Sequence, residues 1–318
     1  MSDVVIDAAD LTKRFGVVTA LDGLSLTVVR GEVFGFLGPN GAGKSTTIRI
    51  LLDLVRPTSG NVNVLDLEPR DRGPELRRRV GYLPGELRMH GRSTAGAYLR
   101  YLTRLRNGGG GDRIADLADR FELDLTRPIG KLSKGNKQKV GVIQAFAHNP
   151  ELLILDEPTS GLDPLLRRQF QDLVKERSAE GATVFMSSHV LSEIEDVADR
   201  VAVIRSGQLV DIESIPVLRH RAGQEIEFRF ADRIDVSVFE QIAGISNVVA
   251  APDKHTGGDV LRCVLRGEPD ELLKAAAQHS VVGWNAADRD LDDLFLDYYR
   301  EDKPEVENVT DLEDASHG

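Results

Sequence analysis

Cysteine is almost missing from this chain: Cys263 is the only one in 318 residues. No disulfide can form within the chain, which agrees with a reducing cytosol. Long apolar runs are missing too. Val140 to Ala147 is among the longest, and Gln144 interrupts it, so no stretch approaches a membrane span. The chain starts Met1-Ser2-Asp3 and soon adds Asp7 and Asp10, which lacks the basic start and apolar core of a secretory signal. These absences point to a protein of the cytoplasm.

A long basic run is also absent. Net charge is -11, and the segment 301–318 holds seven acids against one lysine, leaving about -5 for the rest. That charge suits solubility and argues against a general nucleic-acid binder, so no nucleic-acid partner is expected. The acidic tail, 301–318, has little to bury and reads as disordered. Arg77-Arg78-Arg79 reads as a solvated patch on a helix. His90, His148, His220, His255, His279 and His317 show no metal-ligand spacing, and Cys263 sits in a strand-like run as a core residue. No internal repeat is found.

What is present is an alternation of strands and helices. Val4–Phe15 reads as strand and turn. Glu32–Leu37 is a short apolar run that ends at Gly38-Pro39-Asn40-Gly41, and a helical pattern runs from Lys44 to Leu54 until Pro57 to Gly60 breaks it. Further strands read at Asn61–Val64, Arg79–Leu83, Leu152–Leu155 and Thr183–Met186. Helices read from Ser93 to about Leu123 (broken by Asn107 and Gly108–Gly111), Lys137–Ala147, Leu165–Glu180 and Val190–Asp199. Val201–Ile204 and Gln208–Ile212 read as a hairpin. This order predicts an α/β core with a largely parallel sheet. A boundary is expected near Ser214 to Gln224, where Pro216 and Gly223 interrupt the pattern. Beyond it the order is strand, helix, strand, strand, helix, strand, the ferredoxin-like sequence of elements, then a helix at Leu291–Tyr299. The expected division is 1–215 for the first domain, with a helical subdomain over about 88–145, then 224–300 for a small α+β domain.

Two motifs carry chemistry. Gly38-Pro39-Asn40-Gly41-Ala42-Gly43-Lys44-Ser45-Thr46 satisfies G-x-x-x-x-G-K-[ST] between a strand and a helix. Glycines let successive backbone N–H groups turn inward around phosphates, Lys44 reaches the terminal phosphates, and the Ser45 hydroxyl ligates magnesium. Chance would place such a motif in a chain of this length with a probability on the order of 1%. Downstream, Leu152-Leu153-Ile154-Leu155-Asp156-Glu157 is an apolar strand that delivers two carboxylates at its carboxyl end. Asp156 is placed to hold magnesium through its water shell, and Glu157 to orient and deprotonate an attacking water.

With these motifs in place, the segment from about Val4 to Ile212 resembles an ABC-family nucleotide-binding domain, a P-loop NTPase fold. Leu132-Ser133-Lys134-Gly135-Asn136 is similar to the family signature Leu-Ser-Gly-Gly-Gln, with Lys134 and Asn136 as departures. The resemblance implies that Ser133 and Gly135 cap the γ-phosphate bound by the opposite subunit. It implies a D-loop at Ser160-Gly161-Leu162-Asp163, with Asp163 linking the two sites of a dimer. It implies a switch histidine at His189 that contacts the γ-phosphate. Phe15 resembles the aromatic that stacks on adenine; a strand-end aromatic in the core is the other reading. Gly85 stands where the family has the Q-loop glutamine, leaving Glu86 or water to fill that place. Lys134 either strengthens ATP binding or faces solvent.

The resemblance implies an ATPase using ATP and Mg2+, with a homodimer or a paired ATPase chain forming on ATP binding. A membrane permease on a separate chain is the implied partner, which would place this protein peripherally on the inner face of the cell membrane. The small domain after Gln224, with Asp290-Leu291-Asp292-Asp293-Leu294-Phe295-Leu296 at its end, resembles that of drug- and antibiotic-resistance exporter ATPases. A soluble ATPase of ribosomes or chromosomes is the other class weighed. A single P-loop, the lack of a long coiled coil and the acidic charge count against it. A regulatory module without catalysis is disfavoured by Lys44, Asp156, Glu157 and His189 standing together.

Overall fold

The computed structural model describes residues 3–87, 89, 91–106, 111–253 and 257–292. Its elements are β1 (Val4–Phe15), β2 (Val18–Val29), β3 (Val33–Leu37), α1 (Lys44–Leu51), β4 (Ser59–Val64), α2 (Pro69–Arg79), β5 (Val80–Leu83), α3 (Ala95–Leu105), α4 (Gly111–Arg120), α5 (Lys134–Phe146), β6 (Leu152–Asp156), α6 (Pro164–Ala179), β7 (Thr183–Ser188), β8 (Arg200–Arg205), β9 (Gln208–Ser214) and α7 (Ile215–Ala222). They are followed by β10 (Gln224–Phe230), α8 (Val236–Glu240), β11 (Ile245–Pro252), β12 (Asp259–Leu265), α9 (Asp270–Ala276) and β13 (Val281–Asp288).

The central sheet has the order β5-β6-β7-β3-β8-β9 and is parallel except for the final β8–β9 hairpin. Its inner strands are apolar on both faces because both faces are covered. Successive residues of one strand join different cores. Val33 and Leu37 enter one cluster with Leu153, Leu155, Val184 and Met186, on the side of Phe146 and Phe170. Phe34 and Phe36 enter a second with Ile154 and Phe185, together with Ile48 and Leu51 of α1. That second core also takes Ile6, Leu24 and Val64 from an antiparallel sheet of order β2-β1-β4. Helix α1 is thus held between two sheets, which fixes the loop in front of it.

The C-terminal elements form an antiparallel sheet of order β11-β12-β10-β13 with α8 and α9 between its strands in the chain. It has a core of its own around Phe228, Phe230, Phe239, Leu261 and Leu272. Among the described residues no helix is long and apolar enough to cross a membrane.

Several expectations need correction. Val190–Asp199 is not a helix but a single 3-10 turn, Leu191–Glu193, followed by further turns. Its helical spacing is overridden by bonds to distant elements. Glu193 accepts from Thr159 and Ser188, Asp199 accepts from the Val33 N–H, and Asp292 accepts from the Leu191 N–H. The stretch Ser214 to Gln224 contains helix α7: Ser214 precedes it, Pro216 sits in its first turn and Gly223 ends it. Strand β2 has no counterpart in the sequence reading, and of helix α2 only the end at Arg77-Arg78-Arg79 was read as helical. Arg77 and Arg79 are not simply solvated. Arg77 donates to the Leu52 carbonyl, and Arg79 donates to the Leu65 carbonyl and pairs with Glu151. The helix expected at Leu291–Tyr299 lies outside the described residues beyond Asp292, as do the tail 301–318, His90 and the glycines Gly108–Gly110.

Candidate functional site

Strands β6, β7 and β3 are neighbours running the same way, with Asp156 beside Ser187 and Leu37 beside Ser188. Their carboxyl ends therefore open on one edge of the sheet, where open α/β sheets bind ligands. The loop 38–43 follows β3, Asp156 and Glu157 end β6, and His189 follows β7.

The loop is braced by its neighbours. The Gly38 N–H donates to the Ser188 carbonyl at 3.2 Å, Ala42 N–H to the Pro39 carbonyl at 3.1 Å, and Gly207 N–H to the Ala42 carbonyl at 2.9 Å. Gly43 has φ 115, and a Cβ there would sit 2.8 Å from the Ala20 carbonyl oxygen. Helix α1 then begins without a side-chain cap and without an acid in its first turn. Its first N–H groups and the positive end of its dipole are left for an anion.

Lys44 is buried. Its Nζ donates to the carbonyls of Gly38 (2.5 Å) and Pro39 (3.3 Å) and lies 3.3 Å from Glu157 Oε1. The other carboxylate oxygen of Glu157 lies 2.7 Å from His189 Nδ1. Glu157 has φ 48, in the left-handed region, a conformation that costs a non-glycine residue about 1–2 kcal/mol. Ser187 fixes both acids: its Oγ donates to Asp156 Oδ1 at 2.6 Å and accepts from the Glu157 N–H at 3.1 Å.

Asp156, Glu157 and His189 line an open cleft of ≈ 680 Å³ with Asn40, Ser45, Arg49, Tyr82, Pro84, Gly85, Glu86 and Ser160; Lys44 and the rest of the loop 38–43 lie behind this lining. The Ser45 hydroxyl and the Asp156 carboxylate are hard oxygen donors in one cleft, a set that suits Mg2+. Burial, then the charge of Asp156, pushes the Tyr82 hydroxyl up to about 12, against the opposing effect of Arg49. Gly85 lies directly against Asp156: a Cβ there would stand 3.4 Å from the carboxylate carbon.

Ser133, Gly135, Asp163 and Phe15 do not line this cleft. Ser133 caps α5, its Oγ accepting from the Asn136 N–H at 3.2 Å. Gln138 of the same helix donates to the Pro158 carbonyl at 2.9 Å and so ties α5 to the segment after Glu157. Lys134 is exposed, and its aliphatic stem passes close to Gly161. Asp163 caps α6, accepting from the Leu166 N–H at 3.0 Å. Phe15 is 50% exposed, not a core residue, and Lys13 Nζ stands 4.7 Å from its ring centre.

Sequence reasoning missed Ser187, Arg49 and Tyr82. Ser45 and Arg49 are four apart on α1, so helical spacing could have found Arg49. The role of Ser187 depends on strand register between β6 and β7, which no local pattern reports.

A family model described as "ABC transporter" matches residues 21–160. The bacitracin transport ATP-binding protein BcrA of Bacillus licheniformis is 37% identical over 236 residues, covering 72% of this chain and 76% of that protein. The fluoroquinolones export ATP-binding protein of Mycobacterium tuberculosis is 36% identical over 236 residues, covering 71% of this chain and 77% of that protein. Among solved structures, an ATP-binding subunit of an ABC transporter superposes with a TM-score of 0.65 at 29% identity, covering 68% of this chain and 92% of that one.

Proposed function

The chain belongs to the ABC transporter family of ATP-binding proteins, and from that premise we propose that it is the ATP-hydrolysing motor of an exporter for drug- or antibiotic-like compounds. The observation that carries the reading is Glu157, whose two carboxylate oxygens meet Lys44 at 3.3 Å and His189 at 2.7 Å beside Asp156. The bacitracin transport and fluoroquinolones export proteins named above support the cargo class.

In this reading the turn 38–43, the start of α1 and Thr46 bind the phosphates of ATP, and Lys44 adds a point charge at the terminal phosphates. Ser45 and Asp156 hold Mg2+, which neutralises phosphate charge. Glu157 accepts a proton from the attacking water, and Ser187 ties the Glu157 backbone N–H to the Asp156 carboxylate. His189 contacts the γ-phosphate. Phe15, exposed and cation-backed, stacks on adenine. Ser133 and Gly135, which lie outside the cleft of their own chain, complete the cleft of a second ATPase chain. Asp163 stands between the two sites. Gly85 leaves room beside Asp156, so that water or Glu86 takes the place of a glutamine.

The same reading assigns 1–215 to the nucleotide domain, with its helical subdomain over about 88–145, and 224–300 to a ferredoxin-like accessory domain. The strand order β13-β10-β12-β11 and the separate core support that assignment. A permease on a separate chain would receive the motion, holding this protein at the inner face of the membrane. Lys44→Ala tests the site: ATP turnover should fall at least ~100-fold in a phosphate-release assay, and near-parental turnover would refute it. Copurification from detergent with a multi-span membrane protein tests the transport assignment; repeated recovery of the chain without any permease would count against it.

A further inference from the structure

The switch histidine is steadied unequally on its two sides. Upstream, Ser187 and Ser188 belong to β7 and are bonded to Asp156 and to Gly38. Downstream, the chain makes only a 3-10 turn, Leu191–Glu193, whose N-cap Val190 supplies no side-chain cap. The Val190 N–H donates to Ser188 Oγ at 3.0 Å, Gln171 donates to the Glu193 carbonyl at 3.3 Å, and the turn is tied further through the Glu193 side chain and the Leu191 N–H. Glu193 accepts from Thr159 at 2.7 Å and from Ser188 at 2.9 Å, and pairs with Arg167 at 3.3 Å. The Leu191 N–H donates to Asp292 Oδ1 at 2.7 Å, across 101 residues.

Asp292 does not arrive by accident of a loose end. Leu291 is buried in the same core cluster as Leu191 and Ile194. The Asp292 N–H donates to Asp290 Oδ1 at 2.9 Å, which shapes the segment locally. Arg219 of α7 pairs with Asp288 of β13 at 3.3 Å and reaches Glu195, just past the turn, at 3.7 Å. The Arg289 N–H donates to the Gly223 carbonyl at 3.4 Å. A continuous chain of contacts thus runs from the C-terminal sheet, past α7, to the backbone two residues beyond His189.

We propose that Asp292 is a positioning residue for ATP hydrolysis: its carboxylate holds the turn that sets His189 against Glu157, and through it the C-terminal domain governs turnover. A charged acceptor on a backbone N–H is a strong hydrogen bond, and losing it leaves the donor beneath Leu291 without a partner. The proposal rests on His189 acting at the γ-phosphate, as read above.

The test uses the full chain. Asp292→Ala should lower kcat about tenfold while KM for ATP stays within about twofold. Asp292→Asn keeps an oxygen acceptor of the same shape and should recover most of the loss. In a His189→Ala background, Asp292→Ala should add no further loss to single-turnover hydrolysis, because its effect passes through the histidine. Three results would overturn the proposal: Asp292→Ala with parental kcat, no recovery in Asp292→Asn, or a full tenfold loss added to His189→Ala. A parental rate in His189→Ala would remove the histidine reading and this one together. An inactive His189→Ala beside a parental Asp292→Ala would remove this one alone.

Discussion

The loop in front of α1 depends on single atoms. Gly41 and Gly43 both have positive φ, but a Cβ at Gly41 meets nothing within 4 Å, whereas one at Gly43 meets the Ala20 carbonyl oxygen and Leu21 at 2.8 Å. Gly41→Ala should cost only the left-handed backbone, about 1–2 kcal/mol. Gly43→Ala should cost about 1–3 kcal/mol more, because β2 cannot move away from α1 without opening the core. Thermal midpoints of the two variants, with affinity for a fluorescent ATP analogue, check the difference. Equal losses would mean that the contact with β2 is not rigid. Glu157 is a second such point. Glu157→Gln keeps the side chain's shape but removes the base, so turnover should fall ~100-fold or more while the fold remains. At this scale the glycines, Lys44, Asp156 and Glu157 were legible because each is required by type at a set spacing. Ser187 was not, because a serine on a buried strand has many ordinary uses.

Elements are joined by a few buried polar contacts. His148, just past α5, donates from Nε2 to the Val80 carbonyl at the start of β5, at 3.2 Å, and its Nδ1 lies 2.9 Å from Arg106 at the end of α3. Burial first, then the charge of Arg106, lowers its pKa to about 4, against the raising effect of the Val80 carbonyl. The unfolded chain, with an ordinary pKa near 6.5, binds the proton more readily than the folded one. This group therefore leaves stability unchanged above pH about 6.5 and removes up to about 3 kcal/mol as pH falls toward about 4. His148→Gln should flatten the pH dependence of the urea midpoint across that window. An unchanged slope would show that the imidazole is not held neutral. The stretch Val190–Asp199 teaches the complementary lesson. Its apolar spacing is helical, yet Glu193, Asp199 and Leu191 are each bonded to elements far away in sequence, and those bonds decide its shape.

At the scale of the whole molecule, Ser133 and Gly135 are not among the residues that line the cleft beside Ser45, Asp156 and Glu157, as a site completed by a second chain would have it. Size-exclusion chromatography of Glu157→Gln with ATP should give a dimer, and Lys44→Ala under the same conditions a monomer. A monomeric Glu157→Gln at saturating ATP would contradict the two-chain site. Local chemistry determined much of this protein in advance: strand, glycine loop and helix around Lys44, the paired acids after β6, and the alternating α/β order were readable because turn residues, apolar runs and phosphate-binding spacing act over a few neighbours. The adjacency of β6, β7 and β3, the bridge from Ser187 to both acids and the reach of Asp292 to the Leu191 N–H were decided by folding. Each joins residues far apart in the chain, and only the burial of shared cores brings such partners within hydrogen-bond range.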